Sequence, residues 1–240
     1  MSTASNKQPE MDYRGVVNLT IRACQIAQAA ASASAQAVAN GSPDILDNVR
    51  EREEELDTLD REINEGVTAL ITQVPPQEAR ELLACLKLVI ELERIGDLLL
   101  GFSNRLRSCV SRLDRQDVRD LASMAATVER MVRDGEQAFE KRDTNLAVAV
   151  LRADAEVDRL RNLIVVRHIE NPEGERRQES FHVVFMSQAL ERAGDHVKNM
   201  AEEVVHLVTG RSVRHLLRAA DKPFENMFVE YMRRRDAFKR

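Results

Sequence analysis

Hydrophobic residues recur every three or four positions along most of the chain, the spacing that places them on one face of an α-helix. The clearest example is the stretch 46–74, where the steps between positions alternate between three and four residues. The positions are Leu46, Val49, Glu53, Leu56, Asp60, Ile63, Val67, Leu70 and Val74, all apolar except the acids Glu53 and Asp60. Short segments rich in Gly, Pro or Asn interrupt the pattern at 40–43, 75–76, 171–174 and 209–210. The pattern predicts an all-α protein with six helices, at 12–40, 44–74, 77–112, 115–141, 145–170 and 176–209.

Residues typical of helix starts stand at several of these boundaries. Ser42 followed by Pro43 predicts the start of the second helix, because a serine oxygen can accept a free backbone N–H and proline fits the first helical position. Asp114 and Asp143 predict the starts of the fourth and fifth helices in the same way.

The third and sixth predicted helices contain nearly the same short sequence. Residues 92–97 read LERIGD, and 98 residues later 190–195 read LERAGD, with five of the six positions identical. We interpret this as an internal duplication that gives two tandem three-helix bundles, over 12–112 and 113–210. Residues 211–240 follow as a basic C-terminal helical extension with nine Lys or Arg and four Asp or Glu. Such a segment is suited either to an acidic partner or membrane surface, or to an exposed chain end.

The composition narrows the protein's setting. Hydrophobic residues make up 43% of 240 positions and charged residues 31%, and no apolar run approaches the roughly 20 residues of a membrane span. The first ten residues contain no apolar signal-peptide core. A net charge of −5 gives no overall basic field for nucleic acid, and three widely spaced cysteines indicate neither a disulfide framework nor a zinc site. We expect a soluble protein of a reducing compartment.

Carboxylates occupy helix positions where the apolar pattern predicts core residues. An acid-x-x-x-acid pair occurs once on the second and once on the third helix of each half, as Glu53/Asp57, Glu93/Asp97, Asp154/Asp158 and Glu191/Asp195. Residues four apart share a helix face, so antiparallel neighbours can point two pairs at each other. Asn199 and Glu202 extend the polar stripe of the sixth helix. Because a buried, unpaired carboxylate costs several kcal/mol, we expect a cation at each group.

Two kinds of cation could neutralise these acids. Oxygen-only ligand sets favour hard or borderline metal ions such as Mg, Mn or Fe, and Zn is possible. Alternatively, Arg94 and Arg192 stand beside the third-helix acids and could pair with them without a metal. Gly96 and Gly194 each cost a helix interior about 1 kcal/mol. Their matched placement indicates a close helix approach or space beside the acids.

These motifs resemble the two repeat signatures of the PhoU family. The resemblance rests on LERIGD at 92–97 and LERAGDHVKNMAE at 190–202, and it covers about residues 12–210. It implies two three-helix bundles in a cytoplasmic, non-enzymatic protein that restrains the phosphate-starvation response. It also implies contacts with the ATPase subunit of a phosphate ABC transporter and with a sensor histidine kinase. We expect a homodimer that touches the membrane peripherally through the transporter and binds no nucleic acid.

The resemblance further implies metal ligands, since some members of the family bind multinuclear metal clusters through acid-x-x-x-Asp motifs. In this chain the implied ligands are Glu53, Asp57, Glu93, Asp97, Asp154, Asp158, Glu191, Asp195, Asn199 and Glu202. The first repeat departs from the signature, with Leu98 where the second has His196 and Gly101 where the second has Asn199. The second half is therefore the better match to the metal-binding pattern.

Two other functions fit parts of the sequence. A ferritin-type di-metal oxidase needs Glu-x-x-His motifs from two facing helices. The two motifs here, Glu179/His182 and Glu203/His206, lie 24 residues apart on one predicted helix, or roughly 36 Å at 1.5 Å per residue, so they cannot share a metal pair. A metal-free helical adaptor, such as an accessory protein of another phosphate transporter, also fits. We predict that the protein is not an enzyme, since no phosphate-binding loop or nucleophile motif is present.

Overall fold

The structure is a computed structural model that describes residues 11–170 and 177–211, without the side chains of residues 169, 170, 177 and 178. Within those residues the chain is all-α, as predicted. The helices are Tyr13–Asn40 (α1), Val49–Leu70 (α2), Pro76–Cys109 (α3), Arg115–Lys141 (α4), Thr144–Glu170 (α5) and Arg177–Thr209 (α6). Beyond Arg211, the predicted C-terminal extension lies outside the described residues.

Aspartate side chains cap the starts of several helices. Asp114 accepts the backbone N–H of Asp117 at 2.7 Å, and Asp143 accepts that of Asn145 at 2.8 Å, which confirms both predicted starts. The prediction for α2 is wrong by five residues. Pro43–Leu46 form a separate 3₁₀ turn before α2 begins at Val49, and Ser42 makes no capping hydrogen bond. Leu46 is buried in the core and holds this turn in place.

Helices from both halves pack together in the centre of the fold. In this central group α3 packs against α6, α1 packs against α4, and each pair is joined to the other by α1–α3 and α4–α6 contacts. The outer helix α2 packs on α1 and α3, and α5 packs on α4 and α6. The two predicted halves, 12–112 and 113–210, therefore share one continuous hydrophobic core.

The contact between α3 and α6 is antiparallel and carries polar contacts along its length. Lys87 near the start of α3 forms a salt bridge with Glu203 near the end of α6, at 2.9 Å. Towards the other end of the contact the guanidinium of Arg105 lies 5.4 Å from the centre of the Phe185 ring. These two contacts occupy equivalent places in the repeat, since Phe185 is the counterpart of Lys87 and Glu203 that of Arg105, 98 residues apart.

All three cysteines are buried and unbonded to one another. Burial raises the pKa of the Cys85 thiol to about 11 and also raises the pKa of Cys24. A thiol with a raised pKa is a poor nucleophile, so these residues act as small hydrophobic side chains of the core.

The repeated glycines, Gly96 and Gly194, serve different purposes in the two halves. A Cβ added to Gly96 would lie 2.7 Å from Cδ1 of Leu56, a fully buried side chain of α2. At Gly194 the nearest atoms, in Met131 and Val157, would be 3.7 Å away, which is ordinary contact. Gly96 is therefore required by the close approach of α2 to α3, whereas the space at Gly194 would accept a methyl group.

This difference predicts opposite effects for two matched substitutions. Gly96→Ala should lower the free energy of unfolding by about 1–2 kcal/mol, because Leu56 must leave its place in a packed core. Gly194→Ala should raise it by up to about 1 kcal/mol, through the higher helix propensity of alanine. Urea unfolding of both variants beside the unaltered protein measures the effects, and equal changes of the same sign would contradict this reading of the glycines.

Candidate functional site

The four predicted ligands of the first half form one group, which we call the first acidic cluster: Glu53 and Asp57 of α2 with Glu93 and Asp97 of α3. The close approach at Gly96 brings the two helices together here, and Cγ of Glu53 lies 3.9 Å from where a Cβ on Gly96 would stand. Glu53 and Glu93 are half-buried, and Asp57 and Asp97 are exposed.

Burial and mutual repulsion raise the pKa values of two carboxyls in this cluster. Burial, followed by the charges of Asp57 and Asp97, raises the pKa of the Glu53 carboxyl. Burial and the charges of Asp97, Asp57 and Asp60 do the same for the pKa of Glu93. Each helix therefore holds acids that disfavour the ionisation of acids on the other helix.

Among the residues that the structure describes, no basic side chain is paired directly with the first acidic cluster. Within residues 11–170 and 177–211, none of its four carboxylates forms a salt bridge. Arg94, which the sequence offered as a partner, is exposed and only weakly offsets the rise in the pKa of Glu93. The cluster thus retains a concentration of negative charge at the junction of α2 and α3.

The corresponding group in the second half, the second acidic cluster, contains Asp154 and Asp158 of α5 with Glu191 and Asp195 of α6. Here a lysine reaches into the group. Lys198 of α6 forms a salt bridge with Asp154, which is only 4% exposed, and its Nζ lies 3.8 Å from Oδ1 of Asp195. Burial alone would lower the pKa of Lys198, but the hydrogen bond to Asp154 and the charges of Asp154, Asp195 and Asp158 outweigh it and raise that pKa.

The remaining predicted ligands of the second half have other surroundings. Glu191 accepts a hydrogen bond from Arg161 of α5 at 3.0 Å. Asn199 donates to Glu91 of α3 at 3.2 Å and so faces the other half of the protein. Glu202 is buried. Arg192, the expected partner on α6, is exposed, and the basic partners are Lys198 and Arg161 instead.

The two acidic clusters differ in how well they fit a metal ion. With the side chains as placed, the described parts of the chain contain no group of three or more His, Cys, Asp or Glu residues that could bind a metal ion. In the first acidic cluster, carboxylate oxygens without a basic partner fit a hard cation by their chemistry, once exposed side chains turn inward. In the second, Lys198 already provides the positive charge, so those residues do not fit a metal as arranged.

A further polar link joins the two halves beside the clusters. Nδ1 of His196 lies 2.6 Å from Oε2 of Glu91, the same oxygen that accepts from Asn199. Burial alone would raise the pKa of Glu91, but the hydrogen bonds from His196 and Asn199 and the charge on His196 outweigh it and lower that pKa. Glu91, Arg161 and Lys198 were not among the predicted site residues. The signal for Lys198 was its place three residues after Asp195.

The two Glu-x-x-His motifs do not form a metal pair. Both lie on α6, as the sequence indicated, and their glutamates bind basic residues that are far apart in the chain, one within α3 and one in the 3₁₀ turn Val110–Arg112 that follows it. Glu179 accepts from Arg112 at 2.6 Å, and Glu203 accepts from Lys87 at 2.9 Å.

The raised pKa of Glu53 predicts a stability effect of definite sign. A carboxyl with a raised pKa in the folded state destabilises the protein above that pKa, and this penalty disappears as the pH falls through it. Glu53→Gln should therefore raise the urea midpoint at pH 8 in metal-free buffer, by an amount corresponding to roughly 0.2–0.5 kcal/mol for each like-charge pair removed. The gain should shrink towards pH 5.

Glu91→Gln is the matched control, because its pKa is shifted the other way. A lowered pKa stabilises the fold at neutral pH and loses this effect only as the pH falls through the lowered value. Glu91→Gln should therefore lower stability at pH 8, by about 1–3 kcal/mol for a lost charged hydrogen bond. A loss of stability in Glu53→Gln at pH 8 would contradict the repulsion described for the first acidic cluster.

Comparison with known proteins shows which family the chain resembles. The family model described as the PhoU domain matches twice, at residues 20–104 and 121–204. A relative from Pseudomonas putida, named phosphate-specific transport system accessory protein PhoU homolog, is 32% identical over 180 residues, which cover 72% of this chain and 69% of the relative.

Across residues 11–170 and 177–211, no helix is both long and apolar enough to cross a membrane.

Solved structures give the same result for the fold. The crystal structure of PhoU from Pseudomonas aeruginosa matches with a TM-score of 0.74 and 25% identity, and covers 82% of this chain and 97% of its own. The phosphate transport system regulatory protein PhoU from Streptococcus pneumoniae also has a TM-score of 0.74, at 18% identity, with 86% and 99% covered; this likeness shows the fold alone. Through its two matching repeats, this chain belongs to the PhoU family.

Proposed function

We propose that this protein is a non-enzymatic negative regulator of phosphate uptake and of the phosphate-starvation response. It acts by contact, linking the ATPase subunit of a phosphate ABC transporter to a sensor histidine kinase on the cytoplasmic side of the membrane. The observation that carries the proposal is the match of both repeats to the PhoU domain. The name of the Pseudomonas putida relative, an accessory protein of the phosphate-specific transport system, supports it. Formation of a homodimer stays a prediction.

We further propose that a hard cation such as Mg²⁺, Mn²⁺ or an iron ion, or else Zn²⁺, binds the first acidic cluster. Glu53, Asp57, Glu93 and Asp97 would hold it, because these carboxylates repel one another and have no salt-bridge partner among the described residues. The cation would supply positive charge that neutralises the carboxylates. The residues themselves would then brace α2 against α3 and give partners a surface of fixed shape.

A metal-free adaptor for a different phosphate transporter is the second candidate function. The observation that favours it is the salt bridging in the second acidic cluster, where Lys198 and Arg161 provide positive charge without a metal. An adaptor of this kind would share the fold and the contact mechanism, and would differ in the transporter that it serves.

Deletion of the gene tests the proposed regulation. In phosphate-rich medium the deletion strain should show high alkaline phosphatase activity, because the starvation response is no longer restrained, and a plasmid copy should restore repression. Normal repression in the deletion strain would contradict the negative-regulator proposal and favour the adaptor. Affinity capture of the full chain should then recover a different transporter ATPase.

The cation proposal is tested on the purified full chain. Manganese chloride should raise the thermal unfolding midpoint relative to EDTA, since a ligand that binds only the folded state stabilises it. The double variant Glu53→Gln, Asp97→Asn should lose this response. The exposed acid Glu62 of the same helix provides the control, because Glu62→Gln should keep it. A response that persists in the double variant would place the cation elsewhere.

A further inference from the structure

The two acidic clusters are structural equivalents. In each half, an acid on the outer helix lies over the glycine of the repeated LER-x-GD sequence. A Cβ on Gly96 would be 3.9 Å from Cγ of Glu53, and a Cβ on Gly194 would be 3.9 Å from Oδ1 of Asp154. The backbone therefore presents carboxylates in the same way twice. A difference in cation binding between the halves must come from individual side chains.

The two halves differ at one repeat position, which is occupied by Lys198 in the second half and by Leu100 in the first. Lys198 extends from α6 to Asp154 of α5 and remains within 3.8 Å of Asp195 on its own helix. Its counterpart Leu100 is a partly buried hydrophobic residue that packs against the core. The same repeat position thus holds an ammonium group among the carboxylates of the second cluster and a partly buried hydrocarbon side chain in the first half.

An ammonium group and a divalent cation compete for the same oxygens. A metal ion at Asp154 would have to displace Lys198 from its buried partner and leave two like charges close together. Lys198 is itself largely buried, with 22% of its side chain exposed, so it has little water available to stabilise it after displacement. In the first cluster no such competitor exists among the described residues.

We propose that Lys198 is the built-in counter-ion of the second acidic cluster, which therefore binds no metal, and that Leu100 leaves the first cluster as the half that takes the cation. The second part rests on the cation binding proposed above, whereas the first part stands on the contacts of Lys198. The two parts can fail separately, and neither depends on the phosphatase result in cells.

The first experiment removes the lysine charge in a protein whose first cluster is already neutralised by Glu53→Gln and Asp97→Asn. Adding Lys198→Met to this background should lower the thermal midpoint in EDTA, because Asp154 loses its partner. Manganese chloride should then raise the thermal midpoint by several degrees. Binding of Mn²⁺ should also be seen as a loss of the EPR signal of the free ion. The background protein with Lys198 intact should show neither effect. The further change Asp154→Asn in the Lys198→Met protein should abolish both.

The reciprocal experiment introduces the lysine into the first half. In the otherwise unaltered chain, Leu100→Lys should reduce the manganese-dependent rise in midpoint, because its ammonium group competes for Glu53 and its neighbours. Leu100→Met is the control for the change in shape and should keep the full response.

Three results would overturn the proposal for Lys198. Binding of Mn²⁺ by the background protein, lost on Asp154→Asn, would show that lysine does not exclude the metal. A Lys198→Met protein that folds but neither binds nor responds to Mn²⁺ would show that lysine does not occupy a cation position. If the Lys198→Met protein does not fold, the third result comes from measuring Mn²⁺ binding by the chain that carries only Asp154→Asn. Unchanged Mn²⁺ binding relative to the unaltered protein supports the proposal, and reduced binding refutes it.

Discussion

The antiparallel packing of α3 against α6 is the contact on which the rest of the structure depends. It joins the two repeats through a shared core and brings Lys87, Glu91 and Arg105 of α3 against residues of α6. Because each of these helices also carries one LER-x-GD sequence, the same contact sets the position of both acidic clusters. The outer helices α2 and α5 then complete one cluster each, through their contacts with α3 and α6.

The need to compensate carboxylates at helix junctions explains the chemical differences between the halves. Two equivalent acid groups can be stabilised by an internal ammonium, by an arginine or by an external cation. In the second half the chain supplies Lys198 and Arg161, and the repulsion among the acids is offset within the fold. In the first half burial, and after it the charges of neighbouring acids, raise the pKa values of Glu53 and Glu93. The two halves therefore share one fold but differ in how the charge of their carboxylates is offset among the described residues.

The sequence pattern was sufficient for the helices, the duplication and the family, because helical periodicity, capping aspartates and the two LER-x-GD segments are local signals. It placed the start of α2 too early, since the 3₁₀ turn at Pro43–Leu46 depends on the tertiary burial of Leu46. It also identified the acids but not their partners. Lys198 and Arg161 approach the acids only when α5 and α6 pack, and Glu91 approaches His196 only when the halves meet. Arg94 and Arg192, adjacent to the acids in sequence, lie on the exposed side of their helices.

The equivalent contacts at the two ends of the α3–α6 pair show what covalent fusion of the repeats permits. In a homodimer of a single repeat, twofold symmetry would force both ends to use the same pair of residues. Here one end is the ion pair Lys87–Glu203, whereas the other is the stacking of Arg105 on Phe185. Salt screens an exposed ion pair but affects a cation on an aromatic face much less. The two ends of the central contact therefore differ in chemistry, a polarity that a symmetric assembly of the same helices could not possess.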